Sequence, residues 1–161
     1  MQPKRIHVDS FAGDVQYSRN QLALRNGVIE QGSAHLNVDG SATLDNGSFT
    51  DRSPFEVHAT IRNANVADLQ RTIGTDYPAS GVVNLNLDAS GTRADPHGQG
   101  HLTVTGGEAH GHPIKTLTAD LMLAKEEARL EKIRIEGLGG SISGSAAYNL
   151  TSKEVRADLR G

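Results

Sequence analysis

The sequence predicts a mostly β chain: an antiparallel sheet of repeated hairpin modules with one short helix near residues 65–73. Three observations carry this. Apolar and polar residues alternate with period two through most of the chain, as in strands with one apolar and one wet face. Gly is frequent, at 18 of 161 residues, which suits many tight turns. Only one segment has helical spacing. The run Ser80–Leu123 shows the pattern most fully: three alternating stretches separated by glycines, Asp95-Pro96 and Gly106-Gly107. No helix-length apolar segment intervenes to cover its apolar face, so what covers that face is the functional question.

In chain order, Arg5–Val8 alternates Ile6 and Val8, Asp14–Ser18 carries Val15 and Tyr17, and Gln21–Arg25 carries Leu22 and Leu24. Asn26-Gly27, Asp39-Gly40 and Asn46-Gly47 read as three hairpin turns, because both positions of each tolerate positive φ. Between them, Gly27–Gln31, Ser33–Val38 and Ser41–Asp45 read as strands, followed by Phe55–Ile61. The segment Asn65–Ile73 places Val66, Leu69 and Ile73 on one helical face, with Asn65 as N-cap, Asp68 in the first turn and Gly74 as a stop. This helix is expected to cap an edge or open end of the sheet.

Strands resume after Pro78. Val83, Leu85, Leu87 and Ala89 share one face, continued by Leu102 and Val104 and then by Leu117, Ala119, Leu121 and Leu123. The odd step from Leu130 to Ile133 predicts a bulge or a strand break. Ser141–Leu150 and Glu154–Leu159 close the chain. A weak echo at an offset of 108 aligns Leu22, Gly32, Ser33, Ala34 and Val38 with Leu130, Gly140, Ser141, Ile142 and Ala146, which hints at repeated hairpins. The expected organisation is a meander over 1–62, helix and linker over 63–79, and a second meander over 80–161, forming one continuous unit.

Composition narrows the classes. Hydrophobic residues make up 36% and aromatics 4%, with no Trp: enough to cover one sheet face, with few rings to plug a core. A net charge of -3 with scattered cations is no nucleic-acid footprint. The absence of Cys excludes disulfides and leaves the redox compartment open. No segment approaches the ~20 apolar residues of a spanning helix, and Met1–Ser10 has no apolar core of a signal peptide. The start at a strand-like Lys4–Asp9 and the stop at Arg160-Gly161 lead to the expectation of a piece of a larger protein, with any targeting segment upstream.

Catalytic patterns are not found. There is no G-x-S-x-G elbow, no phosphate loop and no paired carboxylates suited to acid–base work. Asp88, Asp95, Glu108 and Asp120 are isolated, and Lys125-Glu126-Glu127 reads as a solvated turn. Of seven histidines, His97, His101, His110 and His112 lie close in sequence. His110 and His112, with Glu108, would share a face if extended, a spacing metals can use. Wet-face histidines with adventitious metal binding at most are expected, and no cofactor.

The punctuation has a further meaning. An alternating strand Gly81–Ala89 leads into Gly91-Thr92, Asp95-Pro96 and Gly100. A second strand ends at Gly106-Gly107, followed by Gly111, Pro113-Ile114 and the strand Leu117–Leu123. Gly139-Gly140-Ser141-Ile142-Ser143-Gly144-Ser145 through Leu150, and Leu22–Leu44, carry further glycine-punctuated alternation. This order resembles the AsmA-like superfamily, especially its TamB-type members of the bacterial envelope, and the likeness covers most of the chain. It implies a bent antiparallel sheet, a β-taco or trough with its apolar face inside. It further implies a periplasmic protein anchored in the inner membrane through a segment this chain lacks, moving phospholipid between inner and outer membranes. It also implies an outer-membrane barrel partner, and the unclosed meander offers, as the alternative, a scaffold or chaperone-like role in outer-membrane protein assembly through strand-edge pairing.

On that reading, Val83, Leu85, Leu87, Leu102, Val104, Leu117, Leu121, Leu123 and Ile142 are the candidate lipid-contact residues. An aliphatic lining holds acyl chains through non-directional contacts, worth roughly 0.8 kcal/mol per CH₂ buried. Alternation by itself favours a closed β-sandwich core; the resemblance favours the open trough. A carbohydrate-binding or solenoid role ranks last, since aromatic platforms are scarce.

Overall fold

A computed structural model describes residues 9–73, 76, 78–137 and 139–161. The expected strand Arg5–Val8 and the helix stop at Gly74 lie outside these residues. The chain forms one ten-stranded sheet in sequence order, every neighbouring pair antiparallel. Its strands are β1 (Ser10–Tyr17), β2 (Gln21–Gln31), β3 (Ala34–Thr43), β4 (Pro54–Asn65), β5 (Ala79–Thr92), β6 (Pro96–Ala109), β7 (His112–Ala124), β8 (Glu127–Gly137), β9 (Gly140–Asn149) and β10 (Val155–Arg160). The helix α1 (Val66–Ile73) joins β4 to β5, which pair directly. The two meanders are therefore one sheet.

The helix begins as its sequence requires. Asn65 caps it by accepting the Ala67 N–H at 2.9 Å, satisfying one of the first-turn donors. Arg71 pairs with Asp68 one turn earlier. The helix lies against β4 and β5 at the rim made by strand ends, near Gly32 of the β2–β3 turn; among the described residues it does not meet the lateral edges β1 and β10.

Two expected turns are corrected. Asn26-Gly27 lies inside β2, where the register shifts between Leu24 and Gly27 and Asn26 has φ 51°. It is a bulge. Asn and Gly tolerate the left-handed region in bulges and in hairpin turns alike, so the dipeptide cannot distinguish them. Asp39-Gly40 sits within β3 in unbroken register with β4. The true β2–β3 turn is Gly32-Ser33, with Gly32 at φ 58°. Asn46-Gly47 is a turn as expected, both residues at positive φ inside an Asp45–Ser48 bridge.

The bulge expected between Leu130 and Ile133 is present, with Lys132 at φ 49° and β8 continuous through it. It belongs to a series. β2, β4, β6 and β8 each carry a left-handed residue: Asn26, Asn63, Gly106 and Lys132. In each strand two residues separate consecutive apolar-face positions: Leu24/Gly27, Ile61/Ala64, Val104/Gly107 and Leu130/Ile133. The β2–β3 and β8–β9 hairpins match in full. Gln31↔Ala34 becomes Gly137↔Gly140, and Leu24↔Gly40 becomes Leu130↔Ala146. The repeat offset is thus 106, not the 108 of the sequence echo.

Bulges bend strands and raise their twist. Glycine allows neighbouring strands to fold inward on the same face. A Cβ on Gly40 would stand 2.8 Å from the Glu56 carbonyl oxygen, and one on Gly100 would meet the Asn86 carbonyl oxygen. Both positions lie on the apolar face, so the sheet curls toward that face.

Candidate functional site

Register places the apolar residues in cross-strand rows. One row crosses all ten strands: Val15, Leu24, Gly40, Val57, Ala89, Gly98, Leu123, Ala128, Tyr148 and Val155. No charged side chain interrupts it. A second runs Phe11, Ile29, Leu36, Ile61, Leu85, Leu102 and Ala119. A third runs Gly27, Val38, Ala59, Leu87, Gly100, Leu121, Leu130, Ala146 and Ala157. A fourth links Ala64, Val83, Val104, Leu117, Ile135 and Ile142. At about 4.8 Å per strand, ten strands extend the face about 43 Å.

All nine candidate residues lie on this face. Val83, Val104, Leu117 and Ile142 fall in the fourth row, Leu85 and Leu102 in the second, Leu87 and Leu121 in the third, and Leu123 in the first. Sequence reasoning missed the share from the N-terminal half, including Leu24, Leu36, Val57 and Ile61. Their alternation marks them as strand residues, but nothing in it assigns them to the same lining as Leu85 and Leu121.

The face is not a closed core. Among the described residues no large side chain is fully buried, and the buried hydrophobics are Ala23, Leu44, Ala64, Val83, Ala119 and Ile133. Leu85, Leu87, Leu102 and Leu121 are half-buried, and Ile142 is 39% exposed. The sheet's own curl shields these groups part-way. A sandwich would have buried its large aliphatics against a second layer.

One part of the face is roofed. The β3–β4 loop, Leu44–Ser53, leans over it and is stitched down on both sides. Leu44 N–H donates to Asn20 O at 2.8 Å, Gly47 N–H to Arg19 O at 2.7 Å, and Ala94 N–H to Asp51 O at 3.1 Å. Phe49 meets Phe55 edge to face, centroids 6.3 Å apart, a favourable aromatic geometry. Beneath lies a hollow of about 640 Å³, lined chiefly by apolar groups and by Arg93.

The opposite face is polar, and His–carboxylate pairs cross its strands. His58 pairs with Asp88, His35 with Glu30 at 3.3 Å, and His101 with Asp120 at 2.9 Å, where Lys132 adds a contact at 3.3 Å. The His101 hydrogen bond, then Lys132, holds the Asp120 carboxyl below its ordinary value. A hollow of about 670 Å³ on this face mixes Arg25, His58 and His97 with Asp39, Glu56 and Asp88. His110 and His112 are not extended neighbours: His110-Gly111 is the β6–β7 turn, at φ 49° and 79°. Among the described residues no three His, Cys, Asp or Glu side chains group to hold a metal, and no helix is long and apolar enough to cross a membrane.

No protein-family model, curated protein or solved structure matches the chain.

Proposed function

We propose that this chain is a section of a lipid-conducting groove that carries phospholipid between the inner and outer membranes of a bacterial envelope. The observation that carries this is the apolar row crossing all ten strands without a charged side chain, on a face left half-exposed. Exposed apolar surface this extensive marks an interaction site in a stable protein. Its lining is aliphatic and non-directional, so it grips tails by area while head groups stay in water. Its length, about 43 Å, exceeds the ~30 Å hydrocarbon core of a bilayer. The resemblance to TamB-type AsmA-like proteins agrees, and with it come a periplasmic location, an inner-membrane anchor supplied by a longer parent chain, and a role without catalysis.

Native mass spectrometry of the purified protein tests the reading. Co-purified phospholipid is expected, and Leu85→Glu with Leu121→Glu removes it. Lipid-free protein at every preparation would overturn it.

A second reading has its own support. Among the described residues β1 and β10 each pair on one side only and are exposed along their whole lengths, leaving two strand edges able to pair with further strands. A scaffold in outer-membrane protein assembly would use them. Crosslinking of these edges to a barrel protein, unchanged by Leu85→Glu, would favour this role over lipid conduction.

A further inference from the structure

We infer that the hollow beneath the Leu44–Ser53 loop is a binding site for one acyl chain of an anionic amphiphile, with Arg93 receiving the acidic head group. The inference rests on the groove reading and adds a defined station to it. The hollow, about 640 Å³, falls within the roughly 300–1,000 Å³ of ligand sites, which are mostly apolar with few placed polar groups. Leu22, Leu24, Val57, Phe49 and Phe55 supply apolar wall, and no acidic side chain lines it. Arg93 is the one charged group in the lining, and the four apolar rows hold none.

Arg93 borders the hollow, and most of its side chain stands in solvent. It is 60% exposed and forms an ion pair with Asp51, whose carboxylate oxygen lies 3.6 Å from Nε, a separation longer than a hydrogen bond. Among the described residues no hydrogen bond engages it, so its fork can meet a carboxylate or phosphate in bidentate fashion. The roof is anchored by the three backbone bonds from Leu44, Gly47 and Ala94, so the site is formed before the ligand arrives. Preorganisation of this kind lowers the ordering cost of binding.

Isothermal titration with dodecanoate, dodecyltrimethylammonium and dodecyl maltoside, each below its micellar concentration, tests this. The wild type is expected to take up one dodecanoate per chain saturably. Arg93→Glu should weaken dodecanoate at least tenfold and change dodecyl maltoside less than twofold. Ala42→Phe, which fills the hollow, should weaken all three; if that variant fails to fold, Arg93→Glu decides alone. Dodecanoate affinity unchanged in Arg93→Glu, or uptake without saturation, overturns the site. Phospholipid lost in Leu121→Glu together with an Arg93→Glu variant that still binds dodecanoate would leave the groove standing and remove this station. Arg93-dependent dodecanoate binding in a protein that never carries phospholipid would do the reverse.

Discussion

The main-chain N–H of Asn26 donates to the Asp39 carboxylate 2.8 Å away, across the β2–β3 pair. The bulge frees this donor from the ladder, and the side chain opposite takes it up. Asn26 itself, at φ 51°, occupies a region that β-branched residues avoid. Asp39→Ala should therefore cost about 1 kcal/mol, and Asn26→Val about 1–2 kcal/mol. Urea midpoints measure both, and equal stability of Asn26→Val and wild type would refute the bulge.

Curvature toward the apolar face makes its glycines unequal to those outside it. A Cβ at Gly100 meets the Asn86 carbonyl oxygen, whereas one at Gly140 meets nothing within 4 Å. Gly100→Ala should destabilise by about 1–3 kcal/mol through overpacking. Gly140→Ala should be neutral or stabilise by up to about 1 kcal/mol through the unfolded chain. Thermal melts of the two variants read the difference directly, and a harmless Gly100→Ala would mean a flatter sheet.

An open face changes what truncation costs. Leu→Ala in a closed core costs about 2–5 kcal/mol. Leu85 is half-buried in the middle of its row, so Leu85→Ala should cost about 1 kcal/mol, nearer its transfer term alone. A loss above about 3 kcal/mol in chemical denaturation would point to a closed core.

Acid should weaken the polar face through Asp120. Its folded pKa lies below the ordinary 3.8 because of the His101 hydrogen bond and then Lys132. A depressed carboxylate contributes stability that is full above its unfolded pKa and is lost as pH falls through the folded value. The loss thus begins near pH 3.8 and proceeds downward, and Asp120→Asn should lack that component. Denaturation series between pH 2.5 and about 5.5 compare the two proteins; parallel curves would show that the pair adds nothing, as exposed pairs often do.

The sheet itself was legible because period-two alternation is a local signal. Val83, Leu85 and Leu87 announce their shared face within five residues, and the cap at Asn65 announces the helix. The Leu130–Ile133 step revealed a bulge because it broke parity between two large aliphatics. At Asn26-Gly27 the same device passed unnoticed, since glycine supplies no apolar marker and the dipeptide equally suits a turn. The hollow under Phe49 was not legible at all, as it depends on a loop held to strands distant in sequence.

Within each unbroken stretch, sequence alone determined which side chains share a face, since there it follows from parity and needs no partner; across the bulges at Asn26, Asn63 and Gly106 it did not. It left undecided whether that face meets a second sheet or stays open. Tertiary structure decided this through register and curl. Among the described residues, ten strands paired in order leave no second layer, staggered bulges bend the strands, and glycines such as Gly40 and Gly100 let neighbouring backbones close in. Those are relations between strands, set by the approach of one backbone to another, and alternation within a single strand carries no record of them.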